Sequence, residues 1–297
     1  MSGVYATLAA MSANAAQITS IKHRSIQVNG IKMHIAEQGE GPLIVLAHGW
    51  PELWYSWRHV LPALAAAGYH AVAPDMRGYG QTDAPPNIQD YTQFQLVGDM
   101  VGLVHTLGYE QAVIASHDLG AMVAHNAAIL RPDMFRAVIL LSVPYGARTE
   151  GAVKPTGAMR RRAPEGQQFY QTYFQTPGIA EKEFDADPKR TLRMFLYSLS
   201  GSIPKEHKWR YMFGVSENAP RRLSGSEATP GMAEAGRSGL LRQRILADRV
   251  SRRIELVSRA GHFLARDAVS DRAQAAAADV VCLRNRRPRG RVCKALR

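Results

Sequence analysis

Apolar residues in the first half of the chain gather in short blocks separated by polar and glycine-rich turns. Pro42-Leu43-Ile44-Val45-Leu46-Ala47 is an unbroken apolar run, the pattern of a strand buried on both faces. Ala71-Val72-Ala73-Pro74, Ala112-Val113-Ile114-Ala115 and Ala137-Val138-Ile139-Leu140-Leu141 repeat it. Ser56-Trp57-Arg58 falls on a predicted helix, and the residues after Gly120 form a second one that Arg131-Pro132 ends, because a residue before proline is pushed out of the helical region. Alternating buried strands and helices predict an α/β fold.

One junction in this pattern carries chemistry. Ser116-His117-Asp118-Leu119-Gly120 sits between an apolar strand and a helix, and its small flanking residues allow a sharp turn that lifts one side chain above the sheet. The residue at the tip is Asp118. A lone aspartate after a strand is most often a helix N-cap. At the tip of a nucleophile elbow it instead attacks an electrophilic sp³ carbon, of an epoxide or a carbon–halogen bond, and forms an alkyl ester. The surroundings favour the second reading: His48-Gly49-Trp50-Pro51-Glu52 follows the first buried strand, and Asp75-Met76-Arg77-Gly78-Tyr79-Gly80-Gln81-Thr82 makes a turn after the next.

In that order the strings HGWPELWYSWRH, PDMRGYGQTDAPP and SHDLG closely resemble the soluble epoxide hydrolases of the α/β-hydrolase fold. The resemblance implies a hydrolase core over residues 20–143, a helical cap over 144–220 entered after Val143-Pro144-Tyr145, and later strands carrying an acid and a histidine. It implies that Asp118 is the nucleophile, that the backbone N–H groups of Trp50 and Leu119 form an oxyanion hole, and that His48, Gly49 and Pro51 shape the loop. Tyr170, in Phe169-Tyr170-Gln171-Thr172-Tyr173-Phe174, stands where the family has a phenol that hydrogen-bonds the epoxide oxygen. An aromatic stripe at helical spacing is otherwise core packing, which is the expected role of Tyr173 and Phe174. No cofactor or metal is implied. The expected partners are a small lipophilic epoxide, suggested by Phe169, Tyr173, Phe174, Met194 and Phe195, and water. The haloalkane dehalogenases share the aspartate attack but usually follow it with a halide-binding tryptophan, where this chain has Leu119.

Composition changes the picture only at the C-terminal end. The 297 residues suffice for one α/β domain with an inserted cap. The net charge of +12 would ordinarily suggest nucleic acid, but residues 1–220 carry 19 basic and 18 acidic side chains, while 221–297 carry 18 and 7. That tail holds 17 Arg and one aromatic, Phe263, so it lacks the interleaved stacking residues of a single-strand binder; no nucleic acid is expected. Cys282 and Cys293 match no metal spacing. No stretch is apolar enough to span a membrane, the first twenty residues lack the regions of a secretory signal, and the expected location is cytoplasmic.

The tail also lacks the aromatic and β-branched runs that the sheet needs after a cap, so the C-terminal strands are expected to be missing or disrupted. Read one base on, the codons of 232–259 can spell WLKQDDLDYYVSEFLRTGFRGGLNWYR, similar to the family's second cap-tyrosine segment. Those of 279–293 can spell PTLFVCGTEDPVVAF, similar to its strand and acid loop. A frameshift between Asn218 and Gly231 is the expectation, leaving 221–297 an atypical basic and disordered tail. Within it Gly261-His262-Phe263 mimics the family's histidine motif, making His262 the one candidate base there. A chain without the acid and a working histidine would be a catalytically incomplete pseudoenzyme.

Overall fold

The computed structural model describes residues 20–146, 157, 160–161, 163–201, 203–215 and 281–284, the last four by backbone alone. His262 and, apart from 281–284, the whole tail from Arg221 lie outside the described residues, and so do the expectations attached to them. The described residues fall into two compact units, one holding 20–83, 93–146 and 281–284, the other 84–92 and those from 157 to 215.

The first unit is built on a seven-stranded sheet of order β1-β2-β4-β3-β5-β6-β9. Its strands are β1 (Lys22–Val28), β2 (Ile31–Gln38), β3 (Leu43–Ala47), β4 (His70–Pro74), β5 (Ala112–His117), β6 (Phe135–Leu141) and β9 (Val281–Arg284). β3 pairs in parallel with β4 and β5, and β5 with β6. Parallel neighbours need crossovers, supplied by α1 (Val60–Ala66), α2 (Gln93–Thr106) and α3 (Leu119–Leu130). All five residues of β3 are buried, as expected of the strand flanked by parallel partners in the middle of the sheet. No helix among the described residues is long and apolar enough to cross a membrane.

Two features of the sheet depart from the sequence pattern. β1 and β2 form an antiparallel hairpin joined at Asn29-Gly30, both at positive φ, the geometry that suits a two-residue turn. At the other side, Val281–Arg284 runs antiparallel to β6 with Leu140 opposite Val281. The edge of β6 is therefore partly paired, whereas a tail contributing no strand would have left it open.

Polar residues enter β2 because each has a partner. Asp75, fully buried after β4, accepts from the backbone N–H of Trp54 at 3.1 Å and of Gln81 at 3.1 Å, and lies 2.8 Å from Nδ1 of His34. Burial alone would raise its pKa, yet the hydrogen bond and charge of His34 and the Trp54 N–H hold it below the ordinary aspartate value. The buried Arg77 makes a two-pronged pair with Asp99, at 2.8 and 2.6 Å, which ties the turn after β4 to α2.

Glu37 of β2 lies 3.2 Å from His70 Nε2 and accepts from Arg24 Nε at 2.7 Å. These partners, His70 first, overcome burial and bring its pKa down from 4.5 to about 2. A depressed acid contributes stability that is complete above its unfolded pKa and is lost as pH falls through the folded one. Glu37→Gln should therefore lower the thermal midpoint at neutral pH, and its deficit should shrink between pH 4.5 and about 2. A deficit that stays constant from pH 7 to pH 2 in a thermal melt series would refute this account.

The second unit contains β7 (Gln167–Phe169), α4 (Tyr170–Tyr173), α5 (Ile179–Phe184), α6 (Pro188–Ser198) and β8 (Met212–Gly214), with β7 antiparallel to β8. α6 starts where Asp187 accepts from the backbone N–H of Arg190 at 3.0 Å and Pro188 takes the first helical position, two independent start signals. Its core is a train of rings: Phe174 to Phe184 at 6.0 Å, Phe184 to Phe195 at 5.3 Å, Phe195 to Trp209 at 5.0 Å.

Candidate active site

β5 ends at His117 and α3 begins at Leu119, so a single residue turns the chain from strand to helix. That residue, Asp118, has φ 53 and ψ −123. A side-chain-bearing residue there costs on the order of 1–3 kcal/mol. The turn closes because glycines stand where backbone or side chain must approach. A Cβ on Gly120 would lie 2.5 Å from the carbonyl oxygens of both Ala47 and His48, and one on Gly49 would lie 2.6 Å from Asp118 Oδ1.

The loop after β3 meets Asp118 face on. Trp50 N–H donates to Asp118 Oδ1 at 3.0 Å, and the Leu119 N–H at the start of α3 also donates to the carboxylate. Burial pushes the Asp118 pKa above the ordinary aspartate value, opposed by these two N–H groups and by the charge of His117. The carboxylate is thus an acceptor held by the same two donors that would face an oxygen bonded to its carbon. The Trp50–Pro51 peptide is cis, and Pro51, Gly49 and His48 are buried.

An ion pair missed in the sequence flanks this centre. Glu52 Oε2 accepts from Gly49 N–H at 3.1 Å and lies 3.0 Å from His117 Nδ1. The hydrogen bond that His117 donates to Glu52 raises the His117 pKa, aided by the charges of Glu52 and Asp118. Burial works to raise Glu52 in turn, but the His117 hydrogen bond and charge and the Gly49 N–H bring it below the ordinary glutamate value. Glu52 and His117 thus each favour the charged form of the other, next to Asp118 in the chain.

Of the residues singled out in the sequence, the structure brings together Asp118, Leu119, Trp50, His48, Gly49 and Pro51. Tyr170 belongs to the second unit, at the first position of α4. Its backbone N–H donates to Tyr211 O at 2.9 Å, its hydroxyl accepts from Gln171 Nε2 at 3.0 Å, and its ring touches Phe169, Phe174, Trp209 and Tyr211. Among the described residues no group of three or more His, Cys, Asp or Glu is arranged to hold a metal.

Comparison with known proteins is consistent with this geometry. Residues 42–283 match the family model described as alpha/beta hydrolase fold. The chain is 44% identical over 194 residues to Epoxide hydrolase 2 of Siraitia grosvenorii, covering 64% of this chain and 60% of that protein. It is 48% identical over 178 residues to Epoxide hydrolase A of Mycobacterium tuberculosis, covering 59% and 54%. An epoxide hydrolase from an endophytic Streptomyces superposes with a TM-score of 0.71 at 39% identity, over 83% of this chain and 75% of that one. The chain therefore spans little more than half the length of the curated relatives it matches. On the family match over residues 42–283 the chain belongs to the alpha/beta hydrolase fold family, and the relatives it resembles are epoxide hydrolases.

Proposed function

We propose that this protein opens epoxides by nucleophilic attack of Asp118. The observation that carries the reading is the Asp118 carboxylate at a strained strand-to-helix tip, held by the N–H groups of Trp50 and Leu119. A carboxylate oxygen attacks an epoxide carbon, the carbon–oxygen ring bond breaks, and the freed oxygen takes the phenolic proton of Tyr170. Water then adds to the Cγ of the new ester while Trp50 and Leu119 hold the oxyanion. Collapse breaks the bond between Cγ and the alkyl oxygen, one water proton passing to that oxygen and the other returning to Tyr170, which restores the carboxylate and releases a vicinal diol. His262, the candidate base for this second half, lies outside the described residues.

A second reading is favoured by the composition of the tail from Arg221, with 17 Arg and Phe263 as its one aromatic. In it the first half-reaction proceeds and the ester accumulates. One experiment separates the two: incubation with an aryl epoxide, following the intact protein mass and the diol. Continued diol release supports the hydrolase. One substrate mass added per chain without diol identifies the stalled form. Neither adduct nor diol refutes both.

A further inference from the structure

His48 is buried in the loop that presents Trp50, and both its ring nitrogens are engaged. Nε2 receives the backbone N–H of Met76 at 3.0 Å. A nitrogen that accepts an N–H carries no proton, so the neutral ring holds its proton on Nδ1. Nδ1 lies 2.9 Å from Gly49 O, and the Nδ1–H therefore donates to that carbonyl. The same oxygen accepts from Glu52 N–H at 3.0 Å.

The planarity of the peptide turns this local bond into an aiming device. Gly49 C=O and Trp50 N–H belong to one trans peptide unit, in which the two groups point in opposite directions. Two donors fasten the carbonyl end, and the N–H end then faces Asp118 Oδ1 at 3.0 Å. Gly49 has no side chain to help hold that plane, and a Cβ there would meet Asp118. The orientation must come from the bonds to its carbonyl and from Glu52 on its N–H. We infer that His48 is a positioning residue: its Nδ1–H, through the Gly49 carbonyl, aims the Trp50 N–H at the nucleophile and at the oxyanion that follows. This rests on the reading of Asp118 and Trp50 given above.

Two substitutions divide the imidazole's two bonds. In His48→Asn the amide nitrogen occupies the place of Nδ1 and keeps the donor to Gly49 O, whereas the acceptor for Met76 is lost. In His48→Gln the amide oxygen reaches the place of Nε2 and keeps that acceptor, whereas the donor is lost. The full chain and both variants are compared by the hydrogen-exchange rate and proton shift of the Trp50 amide, and by the rate of adduct formation with an aryl epoxide. His48→Gln should exchange the Trp50 amide about tenfold faster, move its proton upfield, and form adduct about tenfold more slowly, less than the 10²–10³ lost on removing an oxyanion donor altogether. His48→Asn should stay near the parent in all three. Equal losses in both variants, failure of both to fold included, or no change in His48→Gln, would overturn the inference. If the parent yields neither adduct nor diol, the nucleophile reading fails, and the amide measurements still decide the role of His48.

Discussion

Asp118→Ala and Asp118→Asn should form no adduct with an aryl epoxide under conditions in which the parent chain gains one substrate mass. The expected effect is complete because alanine has no oxygen to attack with and a neutral amide is a poor nucleophile, and no other carboxylate among the described residues shares its setting at a strand-to-helix tip with two N–H donors. Attack also requires the ionised form. Burial raises the Asp118 pKa, so adduct formation should fall off on the acid side at a pH above the ordinary aspartate value of 3.8. Mass spectrometry of the intact and proteolysed chain checks both points. An adduct on another carboxylate in Asp118→Ala would remove Asp118 from the mechanism.

Tyr170→Phe should slow adduct formation by about 10²–10⁴, the range over which a positioned general acid contributes. The fold should tolerate the change. The ring keeps its contacts with Phe169, Phe174 and Trp209, and the hydroxyl's bond within the second unit is to its sequence neighbour Gln171. Single-turnover rates beside a thermal melt distinguish the outcomes. Equal rates in variant and parent would make Tyr170 a packing residue, and a large loss of thermal stability would assign the slowing to damage in the second unit.

What the sequence made legible follows from how each element buries its side chains. β3 is a continuous apolar run because it is covered on both faces, β5 and β6 carry apolar runs over 112–115 and 137–141, and the tip at Asp118 is legible from the small residues around it. β1 and β2 left no such trace. β1 keeps most of its side chains exposed, and β2 interrupts its apolar residues with His34 and Glu37, whose burial is tolerable only because Asp75, Arg24 and His70 answer them from other elements. The Glu52–His117 pair joins residues far apart in the chain. No spacing rule announces such a contact; it exists once β3 and β5 are neighbours. The grouping of 84–92 with the second unit is likewise a property of three-dimensional contacts rather than of composition.

The backbone of Asp118, at φ 53, bears on how this chain changes over generations. Glycine would occupy that turn with less strain, and a smaller or neutral side chain would not carry the cost of a buried charge. Folding alone therefore favours the loss of this aspartate, and a lineage released from selection on its chemistry should drift away from it, gaining stability as it does so. On the proposed role of Asp118 as nucleophile, only selection for reactivity would hold an aspartate at the tip against that gradient.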